Sequence, residues 1–459
     1  MTVPSRVRQT LLAFAVGATA CQPTPRSAAP AGGASPTVPP EVATLPYVAY
    51  VPAGPTRPTT ALRSASSTPG YNLYVPKPQS AALLVDDAGR VVHRWANDAG
   101  QPGPQLLPRV ADFLLGWQAV TLAPDLGLFA IVGRRALLRL DASSRLLWQV
   151  DLPAHHDVAV RADGGAIVLA ERQRLVENLG RTRLILDDEI VFVSSAGKVE
   201  RRVSLYDAFL RHPGLAGEMK ERIDTRFRAL DEQGVAAAMD GRGPISAVRE
   251  LLATGRFAGD PREALTLLRS LPGAPSDLFH TNSVAPLHRH PGGLWNDGDV
   301  LVCLRHWDMV AAIDPVHGKV VWSWGPGVLE EPHHPSVLPE GHLMLLDNGT
   351  RSGRSRCIEV DLAAGAVVWS YEASPPSSFF TPSEGGCQPL PGGHVLVTDS
   401  SKGRAFEVSR DRRIVWEYAN PILNAGGQRR SGIYRMIRVP PEALGAGRKT
   451  RASGAGSAN

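Results

Sequence analysis

The sequence predicts an all-β protein, a six-bladed β-propeller with a helical insertion after the third blade. Three observations support this fold. A strand-turn-strand phrase occurs six times, strands of a second type lie between its copies, and one further strand follows the last copy. Four short strands in about 45–50 residues are the sequence pattern of a propeller blade.

The repeated phrase consists of an alternating apolar run, a polar turn and a second run that usually carries Trp. Equivalent positions in the six copies are spaced by 55, 53, 121, 47 and 47 residues, so one step is inflated and the others are even. These positions are His93, Trp148, Arg201, Trp322, Trp369 and Trp416. The inflated step indicates an insertion between the third and fourth blades.

The insertion spans about 206–276 and has a helical pattern. EMKERIDTRFRALDEQ and DPREALTLLRSL read as helices, and the second begins with Asp260 as N-cap and Pro261 at the first helical position. The late strand IYRMIRV (433–439) is expected to complete the first blade, which would close the ring and cover both edges. The propeller is thus predicted over residues 69–440.

The two ends of the chain have a different composition. Residues 1–21 combine Arg6 and Arg8, an apolar stretch and small residues before Cys21, as in the signal of a bacterial lipoprotein. Cys21 would then be the lipidated residue; a plain secretory signal is the alternative. Residues 22–68 and 441–459 are rich in small and polar residues and are predicted to be a disordered tether and tail. We expect an exported protein, either periplasmic or an outer-membrane lipoprotein that touches the membrane only through its anchor.

Charge and cysteine content limit the choice of partners. The formal charge is +5 over 459 residues, without a basic run on a predicted helix, so a nucleic-acid partner is not expected. In an exported chain Cys357 and Cys387 could form a disulfide, although spacing alone does not decide this. No spacing of cysteines typical of a metal site occurs in the sequence.

Three histidines precede strands at matching places. HHPSVLPEGHLMLL aligns without a gap with HDVAVRADGGAIVL, so that His333 lies opposite His156, and HTNSV places His280 in the same class. The innermost strand of every blade lines the central channel of a propeller, and equivalent positions therefore converge on one axis. We expect these three histidines to form a cluster at one mouth of the channel.

Two functional interpretations of this cluster follow from the residue types. Three neutral imidazoles are sufficient for a catalytic zinc site with an open position. Alternatively, the imidazoles form a polar pocket for an anion, with one of them as nucleophile. Asn282 would add a donor and Arg305 a positive charge at the same mouth, which favours a tetrahedral anion over a cation. A metal or other cofactor is therefore not expected.

Four stretches of the chain resemble the bacterial arylsulfotransferases. They are GYNLYVPKPQSAALLVDDAGRVVHRW, DLFHTNSV, HHPSVLPEGHLMLLDNG and GGCQPLPGGHVLVTDSSKGRAFEVSRDRRIVWEYANP. The resemblance extends from about Gly70 to Arg438 and is interrupted by the insertion. It implies a six-bladed propeller that acts outside the cytoplasm and moves a sulfuryl group from a phenolic sulfate ester to a phenol through a sulfated histidine.

The resemblance also implies roles for individual residues. The nucleophile falls on His333, the supporting pair on His280 and Asn282, the arginine on Arg305, and the earlier histidine on His156 or its neighbour His155. The motif of the nucleophile departs from the family, which has Gln-His where this chain has Pro332, His333 and a second histidine, His334. His155 and His334 are assigned to substrate binding. A non-catalytic binding or scaffold propeller, or a metal-binding one, is the alternative function, because a fold does not determine a function.

Overall fold

The computed structural model describes residues 50–53, 59–100, 116–239, 276–424 and 426–444. Within these ranges six antiparallel sheets form the blades of a propeller. Each blade has four consecutive strands, except that the inner strand of blade 1 comes from the C-terminal part of the chain. The predicted six-bladed fold is confirmed.

The strands are given from the inner to the outer edge of each blade. Blade 1 contains Ile433–Val439, Tyr71–Pro76, Ala81–Val85 and Val91–Ala96; blade 2 contains Trp117–Leu122, Leu128–Val132, Ala136–Leu140 and Leu146–Asp151; blade 3 contains Ala154–Val160, Ala166–Asn178, Arg181–Val193 and Val199–Ser204. Blade 4 contains Thr281–Pro286, Val300–Leu304, Met309–Asp314 and Lys319–Trp324; blade 5 contains His333–Val337, Leu343–Asp347, Arg356–Asp361 and Ala366–Glu372; blade 6 contains Gly386–Pro389, Val395–Asp399, Arg404–Val408 and Ile414–Ala419.

The ring closes as the sequence predicts. The strand Ile433–Val439 pairs antiparallel with Tyr71–Pro76, with Ile437 opposite Leu73. Blade 1 therefore unites the two ends of the propeller, and the inner and second strands of the blade satisfy each other's backbone groups.

Each repeated phrase forms the two outer strands of a blade, and at five of the six marker positions the side chain forms a hydrogen bond with the next blade. The indole N–H of Trp148 donates to the carbonyl of Ser195 at 2.8 Å, and that of Trp369 to the carbonyl of Arg410 at 2.9 Å. Trp416 reaches the carbonyl of Asp87 at 2.8 Å. His93 and Arg201 make the corresponding contacts with the carbonyls of Ala142 at 2.9 Å and Pro315 at 3.5 Å.

The apolar core is divided between the blades. Among the described residues six hydrophobic clusters occur, one at each junction of neighbouring blades. The junction of blades 5 and 6 is also crossed by the disulfide Cys357–Cys387, which the sequence left open. Cys303 is a buried free thiol in blade 4.

Blade 3 is extended by a hairpin and two helices. Its second and third strands, Ala166–Asn178 and Arg181–Val193, are 13 residues long each and project beyond the blade. The insertion begins with helices α1 (Leu205–Leu210) and α2 (Ala216–Met239), and Phe209 and Ile223 pack with Trp307 of blade 4. The second predicted helix lies outside the described residues.

Both ends of the predicted propeller extend further than expected. Residues 50–52 and 60–63, assigned to the tether, are strands: Tyr50–Pro52 pairs with Arg429–Ser431, and Thr60–Arg63 pairs with the outer strand of blade 6. Backbone pairing with an exposed strand edge orders a polar segment that could not build a core of its own. Residues 441–444, assigned to the tail, form a helical turn that packs on the core between blades 1 and 2.

The signal segment 1–21, including Cys21, lies outside the described residues. No helix in the part of the chain that the structure describes has the length and apolar character needed to cross a membrane.

The hydrogen bond from Trp416 to Asp87 joins the last blade to the first, and we expect it to support ring closure. Trp416→Phe keeps an aromatic ring but removes the donor to the partly buried carbonyl of Asp87. The free energy of unfolding in urea should fall by about 0.5–1.5 kcal/mol. Trp322→Phe is the matched control, because Trp322 packs its ring on Trp295 with centroids 5.2 Å apart. An equal loss in both variants would contradict the role of the hydrogen bond.

Candidate active site

The candidate site lies where the inner strands begin and the second strands end. His155 and His156 belong to the inner strand of blade 3, His280 directly precedes that of blade 4, and His333 opens that of blade 5. All four side chains are buried. The loops that follow the second strands add Arg305 in blade 4 and Asn348 in blade 5.

His333 is held in one tautomer by its neighbours. Its Nδ1 is 2.7 Å from Oδ1 of Asn348, whose Nδ2 donates to the carbonyls of Thr381 at 2.7 Å and Glu384 at 3.0 Å. Because the amide nitrogen of Asn348 faces two carbonyls, its oxygen must face His333, and Nδ1 of the imidazole carries the proton. Nε2 is then a lone-pair nitrogen, and it accepts the backbone N–H of Glu384 at 3.2 Å.

His280 forms a carboxylate-histidine pair with Asp277. Nδ1 of His280 lies 2.5 Å from Oδ2 of Asp277, and the backbone N–H of His280 donates to Oδ1 of the same carboxylate at 2.9 Å. The ring of His306 lies beside that of His280, with centroids 4.8 Å apart. The carboxylate fixes the ring orientation of His280 and favours a proton on Nδ1.

His156 connects the histidines of blades 3 and 4. Its ring centroid is 4.8 Å from that of His280, and its Nδ1 is 2.7 Å from Nδ1 of His155. Its backbone N–H donates to Oε1 of Gln118 in blade 2 at 3.0 Å. Tyr434, from the closing strand of blade 1, lies 6.3 Å from the ring of His156.

Tyr434 also contacts the second histidine of blade 5. The ring centroids of Tyr434 and His334 are 5.7 Å apart, and those of His334 and His333 are 5.9 Å apart in a stacked arrangement. The structure therefore brings together the histidines of blades 3, 4 and 5, as the alignment of the repeats predicts, and places an aromatic residue of blade 1 among them.

Arg305 and Asn282 lie beside the histidines, and both have assigned partners. The guanidinium of Arg305 forms an ion pair with Glu331, while its Nε is buried without a hydrogen-bond partner. Nδ2 of Asn282 donates to the carbonyl of Pro332 at 2.8 Å, and its Oδ1 has no hydrogen-bond partner. Asn282 thus anchors the residue before His333 in addition to any contact with a ligand.

Burial keeps the imidazoles neutral. It lowers the pKa of His333 to about 3, with a further contribution from the positive charge of Arg305. Burial also lowers the pKa of His155 to about 3, helped by Arg134, and it holds the pKa of His156 and His334 well below 6.5. For His280 the same effect of burial outweighs the opposing charge of Asp277, and its pKa is lowered as well.

Three of the histidines have an unusual backbone conformation. His156, His280 and His334 adopt φ values of +58°, +49° and +49°, in the left-handed region that residues with a Cβ seldom occupy. Each lies at or beside an irregularity in the pairing of an inner strand with its neighbour. Such strain is frequent where a strand must direct a side chain into a site.

His334 faces the central channel. It lines a cavity of about 390 Å³ to which all six blades contribute, and both of its ring nitrogens are buried without a hydrogen-bond partner. His156, His280 and His333 do not line this cavity.

Sequence reasoning did not select several residues of the site. Asn348 lies within the quoted LLDNG stretch, and its position directly after a buried strand could have identified it. Asp277 and Tyr434 have no such signal, because Asp277 belongs to a two-residue strand and Tyr434 resembles any other aromatic residue of the closing strand.

The described residues also contain groups of side chains with the spacing of metal ligands. The donor atoms lie within 4.8 Å of one another in Asp277–His280–His306, in His155–Glu171–Asp188 and in Glu340–His342–Glu359. The first two groups are next to the histidine cluster, and the third is outside the channel. The trio of His156, His280 and His333 considered in the sequence is not one of these groups.

Solved structures with a comparable overall arrangement share little sequence with this chain. A protein of unknown function from Bacteroides caccae is 12% identical, with a TM-score of 0.44, and the match covers 80% of this chain and 98% of that one. Virginiamycin B lyase from Staphylococcus aureus, in a catalytically inactive form with quinupristin, is 9% identical (TM-score 0.37; 79% and 88% covered). The β-propeller domain of Cps50 (Swd1) from Myceliophteria thermophila is 8% identical (TM-score 0.39; 79% and 90% covered). No curated protein matches the chain.

The fold and the site define a propeller with a buried cluster of neutral histidines beside an arginine. Residues 245–421 match the family model described as arylsulfotransferase (ASST), and this match supports the assignment of the chain to the arylsulfotransferase family. The resemblance noted in the sequence is thereby confirmed. The matched residues include His280, Asn282, Arg305 and His333, whereas His155, His156 and Tyr434 lie outside them.

The neutral imidazoles should make the protein sensitive to acid. Between pH 6.5 and about 3 the unfolded chain binds protons at His155 and His333 that the folded protein does not bind, so stability falls as the pH is lowered through this range. Each histidine contributes about 1.4 kcal/mol per pH unit. We expect the free energy of unfolding, measured in urea at pH 6, 5 and 4, to fall with decreasing pH in both proteins. The fall should be smaller in His333→Gln than in the wild type, by about this amount for each pH unit. An unchanged slope in His333→Gln would contradict the buried neutral state.

Proposed function

We propose that the protein is an arylsulfotransferase that moves a sulfuryl group from a phenolic sulfate ester to a phenolic acceptor through a sulfated histidine. The family assignment supports the reaction class. The observation that carries the proposal is the fixed tautomer of His333, which leaves Nε2 as a lone-pair nitrogen next to the positive charge of Arg305.

His333 acts as the nucleophile. Its Nε2 attacks sulfur, the S–N bond forms, and the S–O bond to the departing phenol breaks. The acceptor phenol reverses this step: its oxygen attacks sulfur, the S–N bond breaks, and the phenolic proton passes to a neighbouring base. A buried neutral imidazole suits this role because it remains unprotonated at any pH above its lowered pKa of about 3.

Arg305 and Asn282 donate hydrogen bonds to the sulfonyl oxygens, where negative charge develops in the transition state, and His280 joins them once its Nε2 carries the proton of the acceptor. In the structure, Glu331 forms an ion pair with the guanidinium of Arg305. An incoming sulfate ester competes with Glu331 for that guanidinium, so this carboxylate balances the buried charge whenever the site contains no anion.

His280 moves the proton. The phenol of the donor ester leaves as its phenolate. His280 is neutral and its Nε2 is unprotonated, so it takes the proton of the acceptor phenol as that oxygen attacks sulfur and then passes the proton to solvent, where the phenolate released earlier is protonated. Asp277, at 2.5 Å from Nδ1, stabilises the protonated form of His280 and fixes its orientation. The ring of His156 lies beside that of His280, and His155 contacts His156. Both are proposed to contact the substrate.

A second candidate function is metal binding. The Asp277–His280–His306 group offers one carboxylate and two imidazoles within 4.8 Å, which is a donor set that zinc accepts. Metal analysis of the purified protein separates the two proposals, because stoichiometric zinc would remove His280 from the role described above.

We further propose that the chain is exported and lipid-anchored at Cys21. The disulfide Cys357–Cys387 supports an oxidising compartment, since such bonds persist mainly outside the cytoplasm. Palmitate labelling of the wild type and of Cys21→Ser tests the anchor, and equal labelling of both would exclude it.

The identity of the nucleophile is tested with His333→Ala. This variant should lose transfer from 4-nitrophenyl sulfate to phenol, because no other group takes over the covalent step. Mixed with the aryl sulfate alone, the wild type should gain the mass of one SO₃ group in intact-mass spectrometry, and His333→Ala should not. His342→Ala, in blade 5 but outside the channel, is the control, and SO₃ addition that persists in His333→Ala would assign the nucleophile elsewhere.

The role of Arg305 is tested by replacing it and its counter-ion separately. Arg305→Gln should lower kcat/KM for the sulfate ester by an amount equivalent to about 2–4 kcal/mol, as for other charge-stabilising contacts. Glu331→Gln removes the competitor and should lower KM for the donor. A fall in kcat/KM of similar size in both variants would indicate that the ion pair is purely structural.

A further inference from the structure

The central cavity is lined by the inner strands of all six blades. Ala159 and Ala285 are among its lining residues, and their small side chains leave space for a ligand. The resulting volume of about 390 Å³ is within the range of pockets that hold small organic molecules.

The charged groups of the cavity neutralise each other. Nη2 of Arg435 lies 2.7 Å from Oδ1 of Asp157, and Oδ2 of Asp157 accepts the hydroxyl of Ser283 at 3.2 Å and the N–H of Val284 at 3.1 Å. An ion of either sign would have to displace one member of this pair, whereas a neutral ligand with a large apolar part would not.

His334 is the polar group that remains for such a ligand. Its side chain is buried, it lines the cavity, and neither ring nitrogen has a hydrogen-bond partner. A buried polar atom without a protein partner is costly, and in native proteins it is usually satisfied by a water molecule, an ion or a ligand. A neutral imidazole has one lone-pair nitrogen, which accepts a hydrogen bond from a hydroxyl group.

We propose that the central cavity binds the aromatic ring of a neutral phenol, whose hydroxyl donates a hydrogen bond to the imidazole of His334. This inference rests on the proposed function for the class of ligand, and it adds a recognition residue. The stacked ring of His333, with its centroid 5.9 Å from that of His334, places the bound hydroxyl on the side of the cavity nearest the proposed nucleophile.

Binding without any sulfate donor tests the proposal. Isothermal titration calorimetry with 4-methylphenol and with its methyl ether, 4-methylanisole, compares two ligands that differ in the hydroxyl proton. The wild type should bind the phenol about five-fold more tightly, the ratio typical of one neutral hydrogen bond. Equal affinities, or no binding of the phenol, would overturn the proposal without any variant.

Two test variants and one control variant show where the phenol binds. His334→Phe should reduce the ratio between the two ligands to about one, whereas His342→Phe, the same change in blade 5 but outside the channel, should leave it unchanged. Ala285→Leu fills the cavity and should weaken both ligands alike. A ratio that survives in His334→Phe, or undiminished binding in Ala285→Leu, would place the phenol elsewhere.

The outcome is separable from that of the proposed function. If no sulfuryl transfer is found but the ratio depends on His334, the phenol site stands and the transferase proposal fails. If transfer is observed but the affinity ratio of the two ligands is the same in the wild type and in His334→Phe, the transferase proposal stands and this inference fails.

Discussion

A hydrogen bond from one blade to a turn of the next is the interaction on which the rest of the structure depends. It recurs at five of the six marker positions, whether the donor is an indole, an imidazole or a guanidinium. The repeat thus encodes the joint between blades as well as the strands of each blade. Because the blades are joined in this repeated way around a ring, their inner strands lie about one axis, and residues far apart in sequence meet there.

The site combines two opposing electrostatic requirements. In the proposed reaction the imidazoles must stay neutral to serve as nucleophile and base, and burial keeps them neutral at the cost of acid sensitivity. The proposed reaction also needs a charged arginine in the same surroundings, and Glu331 supplies the balancing charge. Asn348 and Asp277 direct the protons of His333 and His280.

Sequence periodicity was sufficient for the blades, the closing strand and the convergence of His156, His280 and His333. It worked because each blade repeats one pattern, and equivalent residues of different blades lie at equivalent places around the central axis. It failed where the structure departs from the repeat. The long hairpin of blade 3 is continuous with ordinary strands, and the strand at residues 60–63 gains its order from the edge of blade 6. Asp277 joins the site through two residues that pair with a distant strand, which no local pattern reveals.

The two strands before blade 1 have a mechanical consequence. Tyr50–Pro52 pairs with Arg429–Ser431, and Thr60–Arg63 pairs with the outer strand of blade 6. A pulling force applied from the N-terminal side therefore meets these two strand pairs before it reaches Tyr71–Pro76. Under such a force we expect these two short pairs to open first, so that the strand pairing that closes the ring stays intact until they have separated.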